Sequence, residues 1–365
     1  MIQTFLGQLS AATLAISAEA AANGQMPAGP QPTLWHWLGF GIFVAVLLIL
    51  DLFVFHRDSH EPSLRESAFW TVAWASLALL FNAYIWVWRG SEHAIHFLTG
   101  YLVEWSLSMD NVFVFAVIFS FFRVPLKYQY RVLFWGILGA VVMRLTFVLL
   151  GAALIHRFNW VMPIFGGFLI YTAVKLAFSG EADVDPEQNL LMRLGRKIFR
   201  VAKNPQGDHF FAREGGLLCV TPLFLVLLVI ESTDVVFAVD SVPAIFGITK
   251  DPYIVFTSNI FAILGLRALY FLLAGVMDLF RYLNYGLSAV LGFVGCKMVL
   301  EYIGHRSWAP GFLALKTDKD HLFSPLQSLA IILTCLGVSI VASIIAKRRE
   351  DRLAIRDANK PPVKP

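Results

Sequence analysis

Charge is what this sequence has least of. Only 15% of its 365 residues are Asp, Glu, Lys or Arg, while 58% are hydrophobic; an ordinary soluble domain carries about a quarter charged residues. A chain so poor in charge must turn most of its surface to lipid. Cysteine is scarce as well. Cys219, Cys296 and Cys335 stand far apart in apolar stretches, which excludes a CxxC redox motif and a thiolate metal cluster. No histidine falls in the middle of an apolar run. His56, His93, His96 and His156 all lie at run ends, where solvated or interfacial roles are expected, and this weakens any case for Zn²⁺ or Cu²⁺. The net charge of +4 is too small to argue for a nucleic-acid partner.

What is present in quantity is long hydrophobic runs. Nine can be read: 35–55, 69–88, 97–122, 131–155, 160–178, 216–246, 253–275, 285–303 and 325–346. Each is close to the roughly 20 residues a membrane helix needs, so the expected fold is an all-α polytopic membrane protein with about nine transmembrane helices in a lipid bilayer. The ten Trp residues suit two interfacial belts. The sixth run is too long for one perpendicular helix and contains Pro222 and Pro243, so a break or kink is expected there.

Loop charges set an orientation. With the N-terminus outside, Arg57, Arg65, Arg123, Lys127, Arg131 and the Lys347-Arg348-Arg349 tail fall inside, and far fewer cations fall outside, Arg89 and Lys250 among them. This predicts a bacterial inner-membrane protein with a cytoplasmic C-terminus. The organisation follows: an extracytoplasmic lead-in over 1–34, read as a short helix because no Lys or Arg precedes Leu6; helices over 35–178; a cytoplasmic loop over 179–215 with an amphipathic helix near 190–202; helices over 216–303; a loop and last helix over 304–346; and a basic cytoplasmic tail over 347–365.

Runs three to five resemble runs six to eight. Asp110-Asn111-Val-Phe aligns with Asp234-Val-Val-Phe, Arg144 with Arg267, and Lys175 with Lys297. The Asp-to-Arg-to-Lys offsets are 34 and 31 residues in the first copy and 33 and 30 in the second. A three-helix unit reverses direction on repetition, so the repeat is inverted, an arrangement common in transporters with a midplane site.

Nine ionisable residues lie deep in these runs: Glu104, Asp110, Arg144, Lys175, Glu231, Asp234, Asp240, Arg267 and Lys297. At roughly 3 kcal/mol each at a helix centre, they must be paired, hydrated or bound. Five acids face four bases, so the missing partner is a cation or a proton. Glu104, Ser108 and Asn111 share a helical face, as do Glu231, Asp234 and Ser241. Asp240 points the other way unless the helix unwinds before Pro243 and swings it inward. The expected metal ligands are therefore Glu104, Asp110, Asn111, Glu231, Asp234 and Asp240. Arg144, Lys175, Arg267 and Lys297 balance their charge, and Asp51, Met109, Ser241 and Asn259 are accessory. Hard oxygen donors of this kind suit Mn²⁺, Mg²⁺ or Ca²⁺.

The runs Glu104-Trp-Ser-Leu-Ser-Met-Asp110-Asn111 and Glu231-Ser-Thr-Asp234-Val-Val-Phe-Ala-Val-Asp240-Ser-Val-Pro243 resemble the two signatures of the TerC family. The stretch from Tyr253 through Asn259 to Arg267, and Gly295-Cys-Lys297, match its pattern too. The similarity covers roughly residues 35–346 and looks most like the Alx-type branch; the 30-residue lead before the first run departs from it. The resemblance implies association with tellurium resistance and, for that branch, manganese efflux. On this reading the protein is a transporter, not an enzyme. It needs no cofactor, and its partners are the transported ion and a membrane-protein partner or a second copy. A membrane assembly or metal-loading factor for exported proteins, or a redox modulator, are the alternatives.

Overall fold

A computed structural model describes residues 30–50, 63–158, 160–178, 197, 200–202, 209–214, 217–274, 282–306 and 322–358, without the side chains of Asp110, His156, Glu214, Leu218 and 350–358. Ten helices and one hairpin follow in order. They are α1 (Leu34–Leu50), α2 (Leu64–Arg89), α3 (Ser91–Phe121), α4 (Leu126–Arg157), α5 (Val161–Phe178), β1 (Phe211–Glu214), β2 (Leu217–Val220), α6 (Pro222–Phe246), α7 (Pro252–Leu264), α8 (Leu266–Ala274), α9 (Leu283–Gly304) and α10 (Pro325–Ala358). Among the described residues, seven helices are long and apolar enough to cross a membrane. The pair α7 and α8, bent by 42°, makes an eighth if taken as one span, and α1 is a shorter apolar helix over the first run.

Local chemistry sets several of the boundaries. Ser63 caps α2 by accepting from the Glu66 amide at 3.2 Å. Gly90, with φ of +95°, ends α2 and turns directly into α3; glycine takes this left-handed conformation at no steric cost. Asp251 accepts from the Tyr253 and Ile254 amides and caps α7, with Pro252 in the first turn where its missing N–H is harmless.

Three expectations change. Residues 217–220 of the sixth run form a strand paired with 211–214, not helix. Arg200–Ala202 also pairs with Val220, so the end of the amphipathic helix expected near 190–202 is extended. Of the two prolines expected to break or kink the sixth run, Pro222 does stand at a break, between the strand and α6, but Pro243 does not, for α6 continues past it to Phe246. Pro243 stands in the last turn, where a lost hydrogen bond does not stop the helix. The bend falls instead at Gly265, in the seventh run. The basic tail begins as a continuation of α10, to Ala358.

The two similar stretches pack reciprocally. The first helix of one copy meets the second helix of the other, α3 on α7 and α6 on α4, while α3 meets α6, α4 meets α7 and α5 meets α9. This is the pairing a two-fold exchange of copies generates. The α5–α9 contact is the tightest. A Cβ on Gly166 would stand 2.8 Å from the Gly295 carbonyl oxygen, and one on Gly295 would stand 2.7 Å from that of Gly166. Outside the repeat, aromatic rings join α1 and α2 to it. Phe81 lies 5.4 Å from Phe40, 5.4 Å from Phe97 and 4.9 Å from Phe261 between ring centroids.

Candidate ion site

Arg144, buried in α4, ties four helices together. Its Nη1 donates to Ser241 Oγ on α6 at 2.6 Å and to Asn259 Oδ1 on α7 at 2.6 Å, and lies 2.5 Å from Glu104 Oε1 on α3. Two of these helices come from each of the two similar stretches, so one guanidinium spans the contact between them. Asn259 is itself fixed in orientation. Its amide nitrogen donates to the Val255 carbonyl at 2.9 Å, which turns its oxygen to Arg144.

Glu104 has no solvent exposure. Arg144 is its charged partner, and Ser241 is a second polar neighbour. Asp234 is buried within electrostatic reach of both Arg144 and Glu104. It also lines a narrow cavity with Phe115, Ile230 and Arg267. Glu231, one turn earlier on α6, lies against Gly139 of α4 and adds a second carboxyl group beside Asp234. The Arg267 guanidinium stacks 4.1 Å above the Tyr130 ring.

Of the residues expected at the site, Glu104, Asp234, Arg144, Ser241 and Asn259 come together, with Glu231 beside Asp234 and Arg267 lining the same cavity as Asp234. Asp240 does not join them. Because α6 stays helical, Asp240 faces α5, accepts from Thr172 Oγ1 at 3.2 Å and senses Lys175. Lys297 is buried in α9, 4.0 Å from Glu301 Oε1, so each lysine has an acidic neighbour outside the Arg144 cluster. The i,i+4 spacing of Lys297 and Glu301 signalled that pair. Met109 and Asn111 are buried in α3, with no hydrogen bond to the cluster. The Asp110 side chain, Asp51 and residues 1–29 lie outside what is described. Among the described residues no three His, Cys, Asp or Glu side chains converge as metal ligands do; Arg144 stands among the carboxylates instead.

A second polar cluster was not anticipated. Arg89, counted as an outside loop charge, and His93, expected at an interface, are both fully buried, and His96 is 6% exposed. Arg89 Nη1 pairs with Asp251 Oδ2, and His93 Nε2 stands 3.8 Å from the same oxygen. Hydropathy places these residues at run ends; only packing shows that the ends meet inside the protein.

Comparison with known proteins adds lineage. The pattern of the integral membrane protein TerC family matches residues 89–351. An uncharacterized membrane protein of Myxococcus xanthus is 48% identical over 313 residues, 86% of this chain and 92% of that one. Alx of Escherichia coli K12, named as a proposed membrane-bound redox modulator, is 46% identical over 278 residues, 74% of this chain and 87% of that one. An uncharacterized membrane protein of Rickettsia bellii is 39% identical over 316 residues, 87% of this chain and 99% of that one. No solved structure is significantly similar.

Proposed function

This chain belongs to the TerC family of integral membrane proteins, and from that premise we propose that it is a transporter that exports a divalent metal cation, Mn²⁺ first among them, across the bacterial inner membrane. The observation that carries this reading is the cluster between the two copies. Glu104 pairs there with Arg144, Asp234 lies within electrostatic reach of both, Glu231 stands beside Asp234, and Arg267 lines the same cavity as Asp234. Three acids face two bases at bilayer depth, so a guest cation or protons complete the balance. The donors are carboxylate, hydroxyl and amide oxygens, which suit a hard cation such as Mn²⁺.

Arg144 is a tethered cation in this mechanism. Without an ion its guanidinium neutralises Glu104. Removing one partner of a buried pair costs about 3–5 kcal/mol, so Arg144 leaves only when a metal ion takes over the carboxylate. Ser241 and Asn259, already hydrogen-bonded to Arg144, hold the displaced guanidinium close and return it when the ion departs. Since these contacts cross between the copies, exchanging them couples ion occupancy to movement of one copy against the other, the usual route to alternating access. The N-terminus lies outside and the C-terminus in the cytoplasm.

The test is ⁵⁴Mn²⁺ flux in proteoliposomes, with Mg²⁺ and Ca²⁺ as competitors. Flux through the wild type that is lost in Glu104→Gln and Asp234→Asn supports the reading; equal flux in empty vesicles ends it. A redox role comes only from the name of the Alx relatives. The three cysteines here are free thiols, one buried by the hairpin and the others on α9 and α10.

A further inference from the structure

Buried polar groups stand at both ends of the contact between α3 and α7, at the central cluster and at one end of the bundle, with Phe97, Ile254 and Val255 packed between them. Helices α3 and α7 start at the same end, beside the Arg89–Asp251 pair, and run side by side. His93, Gly100 and Glu104 are spaced seven and four residues apart on α3, so they share one face. Asp251 and Ser258, seven apart, share one on the neighbouring helix, with Asn259 beside them. The two faces meet: a Cβ on Gly100 would stand 2.9 Å from Ser258 Oγ. His93, Asp251, Ser258, Asn259 and Glu104 have no solvent exposure. From Asp251 to Asn259 the seam is roughly 12 Å long at 1.5 Å per residue.

Small and hydroxyl-bearing residues are ordinary helix-packing groups in membranes; what sets this seam apart is the fully buried Arg89–Asp251 ion pair at its end. The cluster at its end is also incompletely satisfied. Arg89 Nε and Nη2 and His93 Nε2 make no hydrogen bond to protein, whereas a permanent lock tends to saturate its donors. The pair is also mounted on a joint. Arg89 is the last residue of α2, followed at once by Gly90 in the left-handed region, with open space where a Cβ would stand. A rotation there carries Arg89 away while Asp251 still caps α7.

We infer that the α3–α7 seam is the path by which the cation leaves the Glu104–Arg144–Asn259 cluster, and that the Arg89–Asp251 ion pair, backed by His93, is the gate that closes its end. This rests on the transport reading of the central cluster. Asp251 offers the departing ion a carboxylate at the mouth, which Arg89 occupies when the gate is shut.

Accessibility tests the gate without requiring transport. In a background with Cys219, Cys296 and Cys335 replaced by Ala, Ser258→Cys places a thiol in the seam and Val290→Cys places one in the packed core of α9. Labelling by a charged methanethiosulfonate is followed by mass spectrometry in lipid nanodiscs. With the gate intact both thiols react slowly. Arg89→Gln leaves the α7 cap untouched, and Asp251→Asn keeps a capping oxygen. Either should speed labelling at 258 about tenfold or more, a shift of the open population, while 290 stays slow. Unchanged labelling at 258 overturns the gate, and so does an equal rise at 290, which would mean general loosening. If only one gate variant folds, that variant decides. Absence of Mn²⁺ flux in the wild type would instead sink the transport reading, and the labelling rates would still show separately whether the seam is gated.

Discussion

Glu231 on α6 lies against Gly139 on α4, its carboxylate filling the space that a Cβ on Gly139 would take. The obstacle is the end of a flexible side chain, so Gly139→Ala is expected to push the carboxylate aside rather than unfold the protein. Mn²⁺ flux should fall about tenfold, the effect of roughly 1.4 kcal/mol, with thermal stability nearly unchanged. In a Glu231→Ala background the same substitution should do little more, because the two act through one contact. Independent, multiplying losses in flux would contradict the assignment.

The glycines between α5 and α9 should behave differently. At Gly166 and Gly295 a Cβ meets the backbone carbonyl of the facing helix, which cannot swing away. Alanine at either position must push two helices apart, at a cost of about 1–3 kcal/mol for overpacking. The expected result is a lower melting temperature in detergent and lower membrane abundance. Wild-type stability in both variants would mean the helices are not so closely joined.

Arg144 and Glu104 form a buried pair, and thermodynamics and transport should separate when the pair is dismantled. Arg144→Met strands the carboxylate and should cost about 3–5 kcal/mol. The double variant Arg144→Met/Glu104→Gln removes both charges and should regain most of the melting temperature while remaining inactive in flux. A double variant that transports would show that the pair serves stability only.

Asp234 and Asp240 stand in the same signature but in different surroundings. Asp234 faces the Arg144 cluster, and Asp240 accepts from Thr172 on α5. Asp234→Asn should abolish Mn²⁺ flux, and Asp240→Asn should leave a measurable part of it, within about tenfold of wild type. The reverse order would place the ion at the α5–α6 boundary.

Replacing Cys219, Cys296 and Cys335 together by Ala should leave Mn²⁺ flux within about twofold of wild type, since each is an unpaired thiol and a free cysteine in an apolar setting behaves as a small hydrophobe. Loss of flux with folding intact would bring the redox reading forward.

Much of the site was legible because membrane burial makes charge conspicuous. Glu104, Asp234 and Arg144 stand out in runs that tolerate few ionised groups, and helical spacing alone grouped Glu231 and Asp234 with Ser241. Asp240 was misplaced for a physical reason. Pro243 is a helix breaker in the middle of a helix but not in its last turn, and where the last turn falls depends on how α6 docks against α5. The hairpin at 211–220 was hidden because Leu217–Val220 is as apolar as the helix that follows.

The sequence by itself determined the helices and their lipid-facing character and made the buried charges conspicuous, since each follows from composition and spacing along one chain. Tertiary structure alone decided which charges meet. Arg144 reaches Glu104, Ser241 and Asn259, and Arg89 reaches Asp251, across 162 residues in the last case, because helices remote in sequence are pressed together. Hydropathy measures a residue's preference for lipid or water, and it carries no information about a third environment, the polar interior that packed helices create between them.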